Sequence, residues 1–345
     1  MPTWSELVKE IAVAQQQGVP NAIDVVRRKY IAALSTHTGR NTILYATRWT
    51  IPGPQLGDLV SITEEDTQGF MEVVHGLKGK SLDIVLHSPG GSGEATEAIV
   101  SYLRKKFDDI RVIVPHAAMS AATMLACSAN RIVMGKQSSL GPIDPQFLMV
   151  GDGGVSAMIP AQAILDQFDL AKEECQDPKM LSAWIPMLGQ YGPALLVQCR
   201  DALDLSRELV EEWLTQFMFS GKASAKKDAR KVASALSDHK FYKSHARHID
   251  RDKARNLGGV GLVVDDLESD QTLQDLALSI YHACSHTFSS TQAAKLMENQ
   301  NGRAFIKIAV QVPIIQQVRR PAPGAPPPAN PPSTPPGPPQ GNPPP

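Results

Sequence analysis

The sequence lacks an excess of charge of either sign. Its 345 residues include 34 lysines and arginines and 35 aspartates and glutamates, which gives a formal net charge of −1. Proteins that bind nucleic acids or anionic membranes through their charge carry a basic excess. The balanced charge therefore gives no reason to predict either partner.

Cysteines and aromatic residues are also few. Aromatics make up 6% of the chain, as expected where small side chains let helices pack closely on a sheet. The four cysteines are far apart and form no C-x-x-C pair, which argues against a zinc or redox motif. Reduced thiols fit this pattern better than a disulfide framework. No metal or other cofactor is predicted.

Long apolar runs are missing as well. No stretch reaches the roughly 18 to 20 apolar residues that a membrane-spanning helix needs, and the segment Ile306–Val318 is interrupted by Lys307, Gln311 and Pro313. The N-terminal residues Pro2–Glu10 lack the basic region and apolar run of a signal peptide. We therefore expect a soluble, cytoplasmic protein without a transmembrane segment.

What the sequence does contain is a strand–helix–strand unit. Leu82–Leu86 and Ile110–Val114 are short runs rich in Ile, Val and Leu that end at turn signals, as buried parallel strands do. Between them, Glu94–Phe107 has apolar residues at helical spacing. The pattern predicts one βαβ crossover.

A turn able to hold a ligand follows each predicted strand. Gly90 and Gly91 let the first turn bend sharply, so that amide N–H groups can point at a ligand. Ser120 follows the second strand among small residues and precedes a helix. The pattern predicts a serine nucleophile, Ser120, beside an oxyanion hole formed by the amides of Gly90, Gly91 and Ala121.

Ser120 also has a simpler interpretation. Serine is a favoured N-cap residue, and Ser120 directly precedes a predicted helix over Ala121–Ala129. A lone Gly-Gly turn or a lone Ser-Ala-Ala is a weak signal. Both features at successive strand ends of one crossover favour the nucleophile.

Three segments together resemble a known family. They are Leu86–Gly91 (LHSPGG), Ala118–Thr123 (AMSAAT) and Ser139–Gln146 (SLGPIDPQ). In combination they resemble the serine dehydrogenase proteinase family, which is similar to signal peptide peptidase A and to the proteolytic subunit of the Clp protease. The resemblance extends from about Arg40 to about Val312. It implies an α/β Clp/crotonase-like fold, a spiral of ββα units, with serine peptidase activity and assembly into a homo-oligomer.

The family pattern does not identify which residue is the general base. In Clp-type peptidases the triad histidine lies near the level of Gln137–Gln146, but this chain has no histidine between His116 and His239. Relatives of signal peptide peptidase A use a lysine instead, so Lys172 and Lys179 are candidates. Either lysine would need burial to lower its pKa by several units.

A histidine is the other candidate base. Aligned with the family pattern, His245 falls about where the acid of a Clp-type triad would be. Histidine is the commonest general base near neutral pH, so His245 is preferred over Lys172. His239, His245 and His248 could instead bind a metal, but their pattern before a short helix suggests a loop, and this alternative is less favoured. Exposed histidines on a turn are the remaining interpretation.

The chain divides into four predicted regions. Residues 1–38 form an N-terminal helical hairpin, and residues 39–270 form the peptidase domain. Residues 271–318 form a C-terminal helical extension in which Thr272–Met297 is helical. The tail of residues 319–345 is rich in proline and cannot form a packed core, so we expect it to be disordered. A proline-binding partner for this tail is an alternative to a solubilising role.

We therefore expect a serine peptidase that cleaves peptide or protein substrates by acyl transfer. One alternative is a catalytically weak or inactive scaffold of the same fold. A less favoured alternative is an acyl-CoA-processing crotonase relative, in which the glycine turn binds a thioester oxygen; no adenine-binding signal supports it. The chain has no G-x-x-x-x-G-K-[ST] motif, so any unfolding ATPase would be a separate chain.

Overall fold

The computed structural model describes residues 3–51, 56–150 and 156–309. The helices in these ranges are α1 (Trp4–Gln16), α2 (Ala22–Thr38), α3 (Asp66–Val74), α4 (Gly93–Lys106), α5 (Ala121–Cys127), α6 (Ala161–Glu174), α7 (Pro178–Leu188), α8 (Leu195–Trp213), α9 (Ala225–Leu236), α10 (His239–Tyr242), α11 (Arg251–Ala254) and α12 (Gln271–Ser290). The strands are β1 (Asn41–Thr47), β2 (Ser81–His87), β3 (Asp109–Val114), β4 (Ala117–Ala118), β5 (Arg131–Met134), β6 (Ser139–Leu140), β7 (Gln146–Val150), β8 (Ser156–Pro160), β9 (Ile249–Asp250), β10 (Val264–Asp266), β11 (Ala293–Asn299) and β12 (Ala304–Ile308). The predicted proline-rich tail lies outside the described residues.

The main sheet of the described residues is mostly parallel. Its strand order is β10-β5-β3-β2-β1-β11-β12. The first five of these strands are parallel to one another, whereas β11 is antiparallel to both of its neighbours, β1 and β12. The α/β fold class expected from the sequence is confirmed.

Helices cover both faces of this sheet because the side chains of its strands alternate between two hydrophobic clusters. In β1, Ile43 and Tyr45 belong to one cluster with residues of α3, α4, α5, α8 and α9. Leu44 and Ala46 belong to the other, with residues of α2 and α12. The central strands are therefore buried on both sides, which explains their nearly continuous apolar sequences.

The predicted crossover is present as β2, α4 and β3. Ser92 caps α4 by accepting a hydrogen bond from the amide of Ala95 at 3.0 Å. Strands β2 and β3 are parallel, with Leu82 opposite Ile110. Their carboxyl ends therefore lie at the same edge of the sheet, and the turns that follow them are neighbours.

The C-terminal part differs from the sequence prediction. Thr272–Met297 was expected to be helical, but α12 ends at Ser290 and residues 293–299 form β11. Every residue of β11 is buried, including Lys295 and Glu298. Both charges are paired with residues distant in sequence, so the local pattern could not reveal a buried strand. The domain boundaries at residues 38 and 270 stay predictions.

The described helices differ in length or in hydropathy from helices that span a membrane. Within the residues that the structure describes, no helix combines the length and the apolar character that are needed to cross a bilayer.

Candidate active site

A short stretch of main-chain pairing brings the two predicted turns together. The amide of Ser88 donates to the carbonyl of Ala117 at 3.1 Å, and the amide of Met119 donates to the carbonyl of Ser88 at 2.9 Å. The glycine turn after β2 therefore lies beside Ser120.

Gly90 allows this close approach. Its φ is +98°, and a Cβ atom added there would lie 2.6 Å from the carbonyl oxygen of Met119 and 2.7 Å from the amide nitrogen of Ala121. Real Cβ atoms do not come so close to main-chain atoms, so no other residue fits without displacing a turn. The juxtaposition predicted from the sequence is present, and glycine is required for it.

Ser120 adopts an unusual main-chain conformation. It has φ +50° and ψ −123°, a positive φ that non-glycine residues rarely adopt and that is often found at functional sites. Its side chain is half-buried and makes no capping hydrogen bond to α5. The capping interpretation of Ser120 therefore has no support in the geometry.

The three predicted oxyanion donors differ in their availability. The amide of Gly90 donates to Ser88 Oγ at 3.1 Å, so the prediction for Gly90 is not supported. Ala121 is the first residue of α5, and its amide has no acceptor within the helix. Among the described residues, the amide of Gly91 has no main-chain acceptor. The available donors are therefore those of Gly91 and Ala121.

A buried carboxylate holds the predicted base. Asp144 has no solvent exposure, and its Oδ1 lies 2.8 Å from Nδ1 of His245. Its Oδ2 lies 2.9 Å from Nδ1 of His239. A carboxylate that is ionised only accepts hydrogen bonds, so beside it each Nδ1 donates, and Nε2 of a neutral ring is left as an acceptor. His245 is thereby fixed in the tautomer that a general base needs.

Ser120 and His245 line the same pocket. It has a volume of about 580 Å³ and is also lined by Gly91, His248, Trp49 and Phe147. Ser120, Gly91 and His245, which the sequence predicts as nucleophile, oxyanion donor and base, therefore line one opening.

A small second sheet joins the segments that carry these groups. Strand β4, just before Ser120, pairs with β6, and β6 pairs with β9. Strand β9 directly follows residues 239–248, called the histidine loop here, which carry His239, His245 and His248. Thr123 adds a link, since its hydroxyl donates to the carbonyl of Ala118 at 2.8 Å and accepts from the amide of Gly141 at 2.9 Å. The serine turn, the Asp144 bend and the histidine loop are thus tied together.

The lysine candidates lie elsewhere. The side chain of Lys172 is 65% exposed, and its Nζ lies 3.4 Å from Oδ1 of Asp169 on α6. Lys179 is exposed on α7. Neither lines the pocket of Ser120. Both side chains are exposed to solvent, on helices away from Ser120.

His87 lies just behind the glycine turn. It is 3% exposed, and its ring packs against those of Trp49, His116 and Tyr281. Burial, with a smaller contribution from His116, lowers the pKa of His87 to about 3. The imidazole is therefore neutral near physiological pH.

The histidine loop does not form a metal centre. In the described ranges, no group of three or more His, Cys, Asp or Glu side chains is arranged to hold a metal ion. His248 instead lies with its Nδ1 2.7 Å from Ser139 Oγ, while His239 and His245 share Asp144. The alternative of a three-histidine site has no ligand set in this part of the chain.

Sequence reasoning did not identify Asp144 as a functional residue. It lies in the Ser139–Gln146 motif, where Gly141-Pro142 and Asp144-Pro145 suggested only a turn. The available signal was an acidic residue directly after the apolar Ile143, within a segment that already carried the family resemblance. Its partners are 95 and 101 residues away, so the sequence alone could not pair them.

Comparisons with known proteins agree with the family resemblance. The family model of ClpP-like SDH-type serine proteinases matches residues 58–183. Two uncharacterized proteins of Methanocaldococcus jannaschii are similar, one with 40% identity over 87 residues and the other with 27% identity over 181 residues. These matches cover 25% and 52% of this chain, and 30% and 54% of the relatives. The chain thus spans about half or less of the length of these curated relatives.

Two solved structures are also similar. They are two mutants of the 1510-N membrane-bound stomatin-specific protease, one of them in complex with a substrate peptide. Each is 16% identical to this chain, with TM-scores of 0.35 and 0.36. Each match covers 59% of this chain, and 75% and 71% of the respective structures. The family resemblance predicted from the sequence agrees with the match of the ClpP-like SDH-type serine proteinase model over residues 58–183, a range that holds Ser120, both glycines and Asp144.

Proposed function

We propose that this protein is a serine peptidase that cleaves peptide bonds by acyl transfer through Ser120. One observation carries the proposal: Ser120, Gly91 and His245 line one pocket, and the buried Asp144 holds the Nδ1 of His245. A nucleophile, an amide donor and an oriented base are the three parts that such chemistry requires.

In the first half of the reaction, Ser120 Oγ attacks the carbonyl carbon of the scissile peptide bond. His245 takes the hydroxyl proton at Nε2, and Asp144 stabilises the resulting imidazolium. The imidazolium then gives this proton to the leaving amine, and the C–N bond breaks. The product is an ester between Ser120 and the acyl part of the substrate.

The negative charge that develops on the carbonyl oxygen needs hydrogen-bond donors already in position. The amides of Gly91 and Ala121 fit this role because neither is used by a main-chain acceptor in the described residues. Removal of one such donor typically slows acyl transfer about 10²- to 10³-fold.

In the second half, water replaces the leaving amine. His245 takes a proton from this water, whose oxygen attacks the ester carbonyl. The ester bond breaks, and Ser120 Oγ regains its proton from His245. The acid product then leaves, and the site returns to its starting state without any cofactor.

A smaller cavity of about 90 Å³ lies next to Ser120. It is lined mainly by apolar side chains, among them Met124, Ile143, Leu205 and Leu209. An apolar side chain of the substrate next to the scissile bond fits the apolar part of this lining. Glu94 and Ser206 are the other polar side chains that line the cavity besides Ser120.

The proposal is tested with a fluorophosphonate probe, which reacts with activated serines and needs no known substrate. We expect labelling of the wild-type protein and none of Ser120→Ala. Ser289→Ala, which removes an exposed hydroxyl on α12, serves as the control and is labelled normally. A folded wild-type protein that resists the probe, or a Ser120→Ala variant that still reacts, would contradict the proposal.

A further inference from the structure

A fully buried ion pair lies beneath the glycine turn. Lys295 of β11 and Asp66, the first residue of α3, both have side chains with no solvent exposure. The lysine Nζ lies 2.6 Å from each carboxylate oxygen of Asp66. Two charges in the core are unusual, and each needs partners that replace water.

The groups around the pair supply those partners. The hydroxyl of Tyr45 donates to Asp66 Oδ2 at 2.8 Å. Burial raises the pKa of Tyr45, so it remains a donor. Lys307 lies 3.3 Å from Asp66 Oδ1 and 2.9 Å from Glu65. These residues face the pair from β1, β12 and the start of α3.

The pair also holds the main chain on both sides of Ile62. Lys295 Nζ donates to the carbonyl of Ser61 at 2.7 Å. The amide of Thr63 donates to Asp66 Oδ2 at 3.0 Å. Each charge of the pair therefore anchors one neighbour of Ile62, which is itself buried.

Ile62 in turn holds the glycine turn on both sides of Gly91. Its amide donates to the carbonyl of Gly90 at 2.7 Å, and its carbonyl accepts from the amide of Ser92 at 3.0 Å. A Cβ atom on Gly91 would lie 2.3 Å from the carbonyl oxygen of Ile62. The position of Ile62 therefore fixes the position of the Gly91 amide.

We propose that Lys295 and Asp66 are positioning residues that hold the Gly91 amide in place for the oxyanion, through Ser61, Ile62 and Thr63. This inference rests on the proposed function of the pocket. Stability alone is a weaker explanation, because replacing a buried ion pair by uncharged residues of similar volume is often neutral. Both β11 and β12 lie outside residues 58–183, so the family match does not include the lysine side of this arrangement.

The test compares two double variants that each remove a buried ion pair of β11. In Lys295→Met/Asp66→Asn, the charges are lost, but the asparagine keeps an acceptor for Thr63 and Tyr45. In the control, Arg27→Met/Glu298→Gln, a second fully buried pair is lost. Glu298 belongs to the same strand, and its partner lies on α2, away from Ile62.

The rate constant of fluorophosphonate labelling and the midpoint of thermal unfolding are measured for both variants. We expect Lys295→Met/Asp66→Asn to be labelled about 10- to 100-fold more slowly than the wild type, as for a misplaced oxyanion donor. Its unfolding midpoint should stay close to that of the control, which should be labelled at the wild-type rate.

The pH dependence of labelling gives a second readout. Burial lowers the pKa of Lys295 to about 8; Lys307 adds to this effect, whereas Asp66 and Glu65 oppose it. Lys295 therefore loses its charge above about pH 8. We expect wild-type labelling to fall there, and the fall to be absent in Lys295→Met/Asp66→Asn.

The outcomes separate this inference from the proposed function. If the wild type is labelled at Ser120 and Lys295→Met/Asp66→Asn reacts equally fast, the positioning role is wrong and the peptidase proposal stands. Equal slowing in both double variants also overturns the positioning role, because it indicates general loosening of β11. If the folded wild type is not labelled at all, the proposed function fails, and this inference fails with it.

Discussion

Asp144 accepts a hydrogen bond of 2.8 Å from Nδ1 of His245, and the carboxylate is shielded completely from solvent. The contact joins a bend that follows β6 to a loop that precedes β9. It determines which ring nitrogen of His245 carries the proton. If the proposed chemistry is right, the reactivity of Ser120 depends on this one contact.

The substitution Asp144→Asn tests that dependence. We expect the rate constant of fluorophosphonate labelling to fall about 10³- to 10⁴-fold, because an amide no longer enforces the reactive tautomer of the imidazole. His239→Asn removes only the other partner of Asp144 and should have a much smaller effect. Wild-type labelling by a folded Asp144→Asn protein would show that His245 is not held for catalysis in this way.

If Lys172 or Lys179 were the base in place of His245, different variants would lose labelling. Lys172 is 65% exposed and lies outside the pocket, so Lys172→Met and Lys179→Met should each change the labelling rate less than about twofold, since surface substitutions away from a site have small effects. His245→Gln, measured beside them, should abolish detectable labelling. A large loss in Lys172→Met with no loss in His245→Gln would reverse the assignment.

A third test concerns Gly90 and the close contact that it allows between the two turns. Gly90→Ala adds a Cβ atom 2.6 Å from the carbonyl of Met119, at a φ of +98°. We expect a loss of about 2 kcal/mol or more in the free energy of unfolding, measured in urea, together with slow labelling. Gly192→Ala is the matched control, because its added Cβ atom would meet nothing within 4 Å and its φ is not positive. Equal stability of both variants would show that the two turns can separate at little cost.

His87 makes the free energy of unfolding depend on pH in the acid range. Its pKa is lowered in the folded protein to about 3 from 6.5. The unfolded chain therefore binds a proton below about pH 6.5 that the folded protein does not bind until about pH 3. The contribution of His87 to the free energy of unfolding should fall by up to about 1.4 kcal/mol per pH unit across this window, and stay constant above it.

Urea unfolding between pH 7.5 and 4.5 measures this effect. Because carboxylates also titrate there, the informative quantity is the difference between the wild type and His87→Gln. We expect the wild type to lose stability more steeply than His87→Gln as the pH falls below 6.5. Parallel curves would mean that His87 takes up its proton in the folded state.

The parts of the site that the sequence predicted depend only on residues that are close together in the sequence. Gly91 and Ser120 each follow a short apolar strand, and their small neighbours are visible in the sequence. The main chain alone brings these residues together, through the pairing of Ser88 with Ala118. Patterns of this kind can be interpreted without knowing any distant contact.

The parts that the sequence did not predict depend on distant partners. Asp144 resembled an ordinary turn residue until His239 and His245 were found against it. Likewise, Lys295 lies in the segment that the sequence predicted to be helical, and only Asp66, 229 residues earlier in the chain, explains how its charge is buried in a strand. Charge pairing in the core overrides local helix propensity, and one sequence does not reveal which charges pair.

The small sheet of β4, β6 and β9 has a consequence for protein synthesis. Its strands come from residues 117–118, 139–140 and 249–250, so the ribosome makes Ser120 long before it makes the segment that carries His245. A nascent chain that ends before residue 245 has Ser120 but neither the proposed base His245 nor the third strand. If Ser120 is the nucleophile and His245 its base, the emerging polypeptide cannot cleave peptide bonds by this mechanism until His245 has been translated.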